Sequence, residues 1–466
     1  MKIAGLDQGT TSTRVLVLED GAARIARGVR HRQIYPQPGW VEHDPEELLE
    51  NLRVCLAAAE GVEAIGLANQ GESCLAWDAL TGRPISPVIV WQDNRTAEEV
   101  AALAAHGAAV MDRAGLPLDA YFSASKLGWI MRNIPEAGQA LREGRLRLGT
   151  TDAFFLDRLA GLFATDVTTA SRTSLMNLET GQWDEVLCGI FGVPMEALPE
   201  IRPSYGEFGE IGGVPVRAAM VDQQAALYGH GCRAAGDAKI TFGTGAFALA
   251  VTGTRIIRAP EQGLLPTLAW AMGGAMGGAR IYALDGGVYD AGSAVEWAKR
   301  IGLFADLSEL AAFEAAPAIS RGLAFVPALS GLACPHWDRS GAGLFIGMGA
   351  QTTKRDMAQA VLEGIALRTA EVVEAMSALV PIGRRISVDG GLTRSAYFLE
   401  FLANVLDREI ACPEFDELTA FGVAAMAAGR EVTRPGGVRI VTPVASEAKA
   451  WRARFAGAVE RAKGWR

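Results

Sequence analysis

Two segments with the same pattern, one at the amino terminus and one just past the middle of the chain, constrain the fold most. Residues 3–7 (IAGLD) form a short apolar run that leads through the turn-forming residues GTTS into residues 13–18 (TRVLVL), which are mainly β-branched and apolar. Residues 239–247 (KITFGTGAF) repeat this order and continue apolar to Val251. Short apolar runs joined by such turns predict two β-hairpins with polar, glycine-bearing loops.

The segments that follow each hairpin predict two topologically related α/β halves. After the first hairpin come a strand at 22–30, a helix opened by residues 44–47 (DPEE) and a strand at 62–68. This opening supplies an N-cap, a proline at the first helical position and a capping-box glutamate. In the second half, residues 385–391 predict a strand ending in Asp-Gly-Gly and residues 395–406 a helix. We interpret the stretch from Trp270 to Gly278 as a flexible hairpin.

Length and composition favour two globular domains. A chain of 466 residues is too long for one comfortable core, and half of the residues are apolar. A weak composition shift at 231–235 predicts domains 1–232 and 233–466. The net charge of −9 includes no basic stripe, so nucleic acid is not an expected partner. No apolar run approaches about 18 residues, so we expect no membrane span and a cytoplasmic protein.

Cysteine and histidine spacing predicts neither disulfides nor a zinc site. The six cysteines are far apart and include no C-x-x-C pair, which is typical of reduced thiols in an ordinary core. The five histidines are equally scattered. We therefore expect no structural transition metal.

The loop at residues 7–14 (DQGTTSTR) has the chemistry of a phosphate site. It offers backbone N–H groups made approachable by glycine, several hydroxyls and a cation. Asp7, at the end of a strand, can hold Mg²⁺ directly or through water. A turn that satisfies its own polar groups is the alternative interpretation.

Residues 243–245 (GTG) supply a matching loop in the second half, and the two loops together form a phosphate clamp. Asp389-Gly390-Gly391 before a helix start adds free N–H donors and a positive dipole end. Each glycine pair alone is compatible with an ordinary turn, but their shared order and strand context strengthen the nucleotide-site hypothesis.

The chain closely resembles the glycerol kinases of the FGGY carbohydrate kinase family. The resemblance extends from residue 1 to about residue 430, in the family's order and spacing. Its motifs are DQGTTS (7–12), QIYPQPGWVEHDP (33–45), IVWQD (89–93), DQQAAL (222–227), TFGTG (241–245) and VDGG (388–391).

This resemblance implies two ribonuclease-H-like domains of the actin and hexokinase type, with an interdomain catalytic cleft that closes over ATP and a small polyol or sugar. Asp222 would be the catalytic base. The polyol pocket would be formed by Glu72, Gln223, Tyr121, Trp91 and Phe247. The β and γ phosphates would meet Thr10, Thr11, Ser12 and Arg14, and the nucleotide would be lined by Thr244, Gly292 and Gly391. Family members are often dimers or tetramers, so a homodimer or tetramer is compatible with the resemblance.

Asp222 and the aromatic residues each have a second interpretation. Asp222 opens a predicted helix, where the dipole favours its ionised form, and an aspartate there can simply be an N-cap. Phosphoryl transfer has a loose transition state, so the base mainly orients the hydroxyl and needs no raised pKa. Trp91 and Phe247 would be core residues if they did not face a ligand, and the Tyr121 hydroxyl can bond a substrate oxygen or a backbone carbonyl.

Three positions depart from the family pattern. The family's glycerol enzymes carry Asn-Gln-Arg-Glu where this chain has Gly71 before Glu72, so two donors for glycerol are missing. A charge-assisted hydrogen bond is worth about 1.5–3 kcal/mol, so we expect weak glycerol binding unless another cation replaces the arginine. We also expect the space beside Gly71 to accept a longer polyol or a sugar. Glu296 replaces the usual glutamine and Ser395 the usual asparagine, which affects base or ribose contacts.

Other functions within and outside the family remain open at this point. A ketopentose kinase is the nearest alternative, although the Asn69-Gln70 pair and residues 35–45 favour the glycerol-kinase branch. An actin-like ATPase and a sugar-binding pseudokinase are further alternatives. The first would lack the Asp222-Gln223 pairing and the second would have lost Asp7, Thr10, Asp222 or Thr244.

Overall fold

Two mixed β-sheets, each flanked by helices, carry the fold. The computed structural model describes residues 1–273 and 278–466. The strands of the N-terminal sheet lie in the order Glu210–Ile211, Val214–Val221, Ala64–Asn69, Lys2–Gln8, Ser12–Glu19 and Ala22–Arg30. Lys2–Gln8 pairs antiparallel with Ser12–Glu19 and parallel with Ala64–Asn69.

The C-terminal sheet repeats this arrangement. Its strands lie in the order Leu265–Ala271, Arg280–Val288, Ala246–Gly253, Ala238–Phe242, Arg385–Gly390, Glu409–Pro413 and Val438–Val441. Ala238–Phe242 pairs antiparallel with Ala246–Gly253 and parallel with Arg385–Gly390. In each sheet, three neighbouring strands are antiparallel, and two further strands lie on the other side of the first of them and parallel to it. The prediction of two topologically related α/β halves is confirmed.

Smaller elements surround the two sheets. A third sheet has the order Glu42–His43, Val88–Ile89, Cys74–Asp78 and Leu146–Thr150. Paired short strands are Met176–Asn177 with Gln182–Trp183, Ala164–Asp166 with Glu200–Arg202, and Ala324–Val326 with Leu344–Ile346. The α-helices are Pro45–Ala57, Ala97–Ala102, Gly107–Ala114, Ser123–Asn133, Pro135–Arg142, Thr151–Ala160, Val167–Ala170, Glu185–Phe191, Asp222–Gly229, Gly292–Arg300, Lys354–Ser377, Ala396–Leu406, Leu418–Ala427 and Ala448–Ala462.

The helix predicted after Asp44 shows how local signals act. Asp44 caps Pro45–Ala57 by accepting hydrogen bonds from the backbone N–H groups of Glu46 and Glu47. The predicted capping box does not form, because the Glu47 carboxylate instead accepts a hydrogen bond from Arg32 Nε at 3.2 Å. A tertiary partner has therefore displaced the local bond that the sequence favours.

Two predictions near the middle of the chain have different outcomes. The strands that flank the hairpin predicted at Trp270–Gly278 pair antiparallel, but residues 274–277 lie outside the described residues. The domain boundary near residue 233 stays a prediction; it falls between the helix ending at Gly229 and the strand beginning at Ala238.

Two helices, Asp222–Gly229 and Leu418–Ala427, cross in direct backbone contact between the sheets; we call them the crossing helices. A Cβ atom at Gly422 would lie 1.8 Å from the carbonyl oxygen of Ala225, and one at Gly229 would lie 2.0 Å from that of Leu418. Only glycine allows two helices to approach this closely. A mixed core that contains residues of both sheets surrounds the crossing.

The helix Leu418–Ala427 also packs on the N-terminal sheet, although it comes from the second half of the chain. A Cβ atom at Gly5 would lie 2.1 Å from the carbonyl oxygen of Ala420, and one at Gly66 would lie 2.4 Å from that of Val423. The two halves are thus interleaved at the base of the cleft. Within the described residues, no helix combines the length and the apolar character needed to cross a bilayer.

Replacement of Gly422 by alanine tests the crossing. We expect Gly422→Ala to lower the free energy of unfolding by about 1–3 kcal/mol, because the new methyl group meets rigid backbone. The measurement is urea-induced unfolding followed by circular dichroism. Gly189→Ala is the matched control: Gly189 is helical and a Cβ there meets nothing within 4 Å. The control should be as stable as the parent or gain up to about 1 kcal/mol; equal behaviour of the two variants would contradict the contact.

Candidate functional site

The carboxyl ends of three parallel strands bring the predicted catalytic residues to one edge of the N-terminal sheet. Gln8 pairs with Asn69, and Asn69 pairs with Val221, so these residues form one row across the sheet. Neighbouring strands are about 4.8 Å apart, so the row spans about 10 Å. The next residues along each strand are the first phosphate loop, the segment 70–72 and Asp222.

The first loop is a tight hairpin connection in contact with the predicted acceptor pocket. The backbone N–H of Gly9 donates to the carbonyl oxygen of Ser12 at 3.0 Å, which closes the turn. Trp91 Nε1 donates to Thr10 Oγ1 at 3.0 Å. Thr11 is exposed, and Thr10 and Ser12 are half-buried. The loop therefore presents hydroxyl groups to the cleft while one of them is fixed by Trp91.

Arg14, predicted to meet phosphate, has a different partner in this structure. Its Nη1 donates to both carboxylate oxygens of Glu417, at 2.9 and 3.0 Å. Glu417 immediately precedes the second crossing helix. Arg14 thus links the strand after the phosphate loop to the opposite half of the chain.

Asp222 is the first residue of its helix and lies half-buried in the cleft. The alternative that it is merely an N-cap is wrong: the N-cap is Val221, and Asp222 Oδ1 accepts from the backbone N–H of Gln223 at 2.7 Å. Burial and the neighbouring Glu72 carboxylate raise the pKa of Asp222 to about 7. The helix dipole expected to favour the ionised form is therefore outweighed by desolvation.

Asp7 belongs to the same acidic cluster. Burial, Asp222 and Glu417 raise the pKa of Asp7 to about 7, so the cluster has unbalanced negative charge. Mg²⁺ typically takes one or two carboxylates together with substrate phosphates, and a single strand-end carboxylate beside a phosphate loop fits that donor set. No group of three or more metal-binding side chains occurs in residues 1–273 and 278–466.

Lys239, which sequence reasoning missed, ties the acceptor side to the C-terminal sheet. Its buried Nζ donates to Gln223 Oε1 at 2.6 Å and to Thr241 Oγ1 at 2.9 Å. Burial lowers the pKa of Lys239, although Asp389 and Asp222 oppose this effect. The sequence did contain a signal for this role, namely a lone lysine in a mostly apolar strand. Such a lysine is buried, and a buried ammonium group needs hydrogen-bond partners.

Glu72 sits in a strained turn at the end of its strand. The Ser73 N–H donates to the carbonyl oxygen of Gly71 at 2.7 Å, and Glu72 has φ +57° at the centre of this three-residue turn. A positive φ is rare for glutamate and is typical of functional sites. The Glu72 carboxylate accepts from Arg172 Nε at 2.7 Å. The turn thus aims a buried carboxylate at an arginine that sequence reasoning also missed.

Gly71 does not border an empty space on its Cβ side. A Cβ atom at residue 71 would lie 2.9 Å from Val221 Cγ2, and both residues are buried. A methyl group of Val221 on the neighbouring strand thus blocks the position where the side chain of an arginine would begin. Asn69 and Val221 are held by a buried network centred on the N-cap residue Asp166 and its neighbours Thr168 and Thr169.

A small cavity of about 90 Å³ lies between the two halves, in front of Arg172. Two predicted acceptor residues, Tyr121 and Phe247, line it. Lys126 fixes Tyr121 by donating to its carbonyl oxygen at 2.6 Å. Trp91 contacts the Tyr121 ring edge-on, with 5.6 Å between centroids. Glu72, Gln223, Trp91 and Asp222 do not line this cavity themselves; Glu72 reaches it through Arg172.

A larger cavity of about 700 Å³ lies at the carboxyl ends of the C-terminal strands. Its lining includes all five residues predicted for the nucleotide in this half: Thr244, Gly292, Glu296, Gly391 and Ser395. Phe242 pairs with Gly390, so the loops 243–245 and 391–395 open at the same sheet edge. A Cβ atom at Gly391 would meet nothing within 4 Å, which leaves open space for a ligand.

Two details of this cavity bear on the departures noted in the sequence. Ser395 caps the helix Ala396–Leu406 and donates to the carbonyl oxygen of Leu310 at 2.6 Å, so its hydroxyl is already engaged. Glu296 is exposed on the helix Gly292–Arg300, whose amino terminus packs against the loop through a 3.0 Å bond from Gly292 N–H to Gly243 O. Ser395 therefore acts here as a helix cap.

Comparison with known proteins agrees with this geometry. The profile for the N-terminal domain of the FGGY family of carbohydrate kinases matches residues 2–229, and the profile for its C-terminal domain matches residues 238–430. The chain is 40% identical to the glycerol kinase of Thermus brockianus, with 99% of both proteins covered. Among solved structures, the Plasmodium falciparum glycerol kinase with ADP superposes with a TM-score of 0.90 at 30% identity, covering 99% of this chain and 98% of that one.

A xylulose kinase from Lactobacillus acidophilus has the same fold, with a TM-score of 0.87 at 22% identity over 99% of this chain and 97% of that one. The predicted actin- and hexokinase-like architecture of two domains around a cleft is thereby confirmed. Two sheets of related topology, a glycine-bearing hairpin loop in each and matching family profiles over both halves lead to one conclusion. The chain belongs to the FGGY family of carbohydrate kinases and is an ATP-dependent phosphotransferase with an alcohol as acceptor.

Proposed function

We propose that this chain transfers the γ-phosphoryl group of ATP to a hydroxyl of glycerol. The observation that carries the proposal is the row Gln8, Asn69 and Val221, which sets the phosphate loop, Glu72 and Asp222 side by side at one sheet edge. The relatives named glycerol kinase support the choice of acceptor.

Two observations favour glycerol over the longer polyol or sugar suggested by Gly71. The cavity in front of Arg172 is small, about 90 Å³, which suits a three-carbon acceptor better than a five-carbon one. Val221 also fills the space on the Cβ side of Gly71. The mixed lining, with Tyr121 and Phe247 beside charged groups, suits a molecule with a carbon side and a hydroxyl side.

In the proposed reaction, Asp222 orients the acceptor hydroxyl and receives its proton. The acceptor oxygen forms a bond to the γ-phosphorus while the bond from that phosphorus to the β–γ bridging oxygen breaks, which releases ADP. Thr10, Thr11 and Ser12 on one side and Thr244 on the other would hold the β and γ phosphates. Gly292, Glu296, Gly391 and Ser395 would line the nucleoside, with Ser395 acting through its helix cap.

The proposal includes Mg²⁺ and a cytoplasmic location. Asp7 would hold the ion, directly or through water, and the ion would neutralise charge on the phosphates. The acidic surplus around Asp7 and Asp222 supports a cation there. All six cysteines are unpaired, which is typical of a reducing compartment.

An acceptor panel tests the substrate. We expect glycerol to give a higher kcat/KM than erythritol, xylitol, xylulose or ribulose, because the cavity is small. The measurement is ADP release coupled to NADH oxidation, with ATP saturating. A five-carbon acceptor that outperforms glycerol would contradict the proposal and favour a ketopentose kinase. ADP release that no acceptor stimulates would favour an actin-like ATPase.

Replacement of Asp222 by asparagine tests the base. We expect Asp222→Asn to lower kcat by about 10²–10⁴-fold, since general-base assistance is lost, while ADP affinity in equilibrium titration stays close to that of the parent. Asp112→Asn, on an exposed helical position, is the control and should retain full activity. Unchanged kcat in Asp222→Asn would remove this residue from the mechanism.

The pH dependence of the reaction tests the environment of Asp222. Because its pKa is raised to about 7, the carboxyl is protonated and inactive as a base at lower pH. We therefore expect kcat/KM for glycerol to fall about tenfold per unit as the pH decreases below about 7. With MgATP saturating, so that the bound cation keeps the nearby Asp7 ionised, the residual activity of Asp222→Asn should lack this limb. A parent profile that stays flat down to pH 5 would contradict the desolvated environment.

A further inference from the structure

Arg172 lines the predicted acceptor cavity with a guanidinium whose hydrogen-bonding capacity is not fully used. It follows the short helix Val167–Ala170 and is 7% exposed. Its Nε donates to Glu72, and its Nη1 lies 3.2 Å from Asp285 Oδ2. That second contact lacks hydrogen-bond geometry, and Nη1 has no hydrogen-bond partner among the described residues. Buried donors in folded proteins are almost always paired, so an open one beside a cavity calls for an explanation.

Arg172 remains positively charged although it is buried. Burial opposes the charged form, but Glu72 and Asp285 outweigh it and raise the pKa of Arg172 above its usual range. The guanidinium also lies over the Phe122 ring, 5.5 Å from its centroid, which restrains its plane. A planar fork of donors held by two carboxylates and an aromatic ring is pre-organised for vicinal hydroxyl groups.

We propose that Arg172 is a specificity-determining residue whose guanidinium donates a hydrogen bond to a hydroxyl of the acceptor, and so supplies the cation that Gly71 cannot. This inference rests on the proposed function, because it assigns a contact within the same acceptor pocket. The arginine reaches the cavity from the segment after residue 170, and its Nε donates to Glu72. Glu72 and Arg172 would then bind neighbouring oxygens of one acceptor.

A purely structural role for Arg172 makes a different prediction. It joins Glu72 of the first half to Asp285 of the second, so it can act as a strut between the halves. A strut would affect every acceptor to the same degree, whereas a donor to one hydroxyl would matter only for acceptors that carry this hydroxyl. The two roles are distinguished by removing the Arg172 donor by mutation and the hydroxyl by changing the acceptor, first separately and then together.

The experiment measures kcat/KM for glycerol, propane-1,2-diol and propane-1,3-diol with the parent, Arg172→Gln and Arg172→Lys. We expect Arg172→Gln to lower kcat/KM for glycerol by about 10–150-fold, the range for a charge-assisted hydrogen bond. For the diol that lacks the contacted hydroxyl, the loss should shrink to about threefold or less. KM for ATP should change by less than about threefold. Arg113→Gln, which breaks a comparable 2.8 Å ion pair with Asp184 outside the pocket, is the control and should leave all three acceptors unaffected.

Equal losses for all three acceptors would overturn the inference and leave Arg172 as a strut. Arg172→Lys keeps the positive charge but lacks the planar guanidinium, and we expect the same acceptor-selective loss of kcat/KM. If Arg172→Gln does not fold, the comparison of the three acceptors with Arg172→Lys tests the inference. A parent enzyme with no acceptor-stimulated ADP release would reject the proposed function instead. The parent's own rates thus separate failure of the proposed function from failure of this inference.

Discussion

The contact between the crossing helices is the constraint on which the rest of the site depends. Gly422 and Gly229 allow the two backbones to touch, and Gly5 and Gly66 allow the helix Leu418–Ala427 to lie directly on the N-terminal sheet. Side chains at these positions would collide with the opposing backbone and force it away. The first crossing helix begins with Asp222, so its distance from the second half also sets the width of the cleft at the catalytic edge.

Charged groups from both halves of the chain meet at this edge of the N-terminal sheet. The first half contributes Asp7, Glu72 and Asp222, and burial raises the pKa of each of these carboxylic acids. The second half contributes Lys239, which reaches back to Gln223, and Asp285, which meets Arg172. In a poorly solvated cleft each such partner matters more than it would in water. The charge distribution at this edge therefore depends on the relative position of the two halves.

Local sequence signals were enough to predict the hairpins, the helix after Asp44 and the two glycine-bearing loops. Each of these depends on residues that are neighbours in the chain, and the family motifs added Asp222 and the residues around the larger cavity. The roles of Arg172 and Lys239 could not be predicted, because they follow from contacts between distant segments. Space beside Gly71 was misjudged for the same reason, since Val221 belongs to another strand. The raised pKa of Asp222 depends on burial that only the assembled cleft creates.

The hydrogen bond from the Trp91 indole to the Thr10 hydroxyl joins the acceptor pocket to the phosphate loop. In the proposed function, an alcohol that packs against Tyr121 and Trp91 would change the free energy of that bond, and a nucleotide phosphate that recruits Thr10 would change it from the other side. Linkage requires the two effects to be equal: whatever factor the alcohol imposes on nucleotide affinity, the nucleotide imposes on the alcohol. In that assignment, a single indole N–H would couple the binding of the two ligands before any phosphoryl group is transferred.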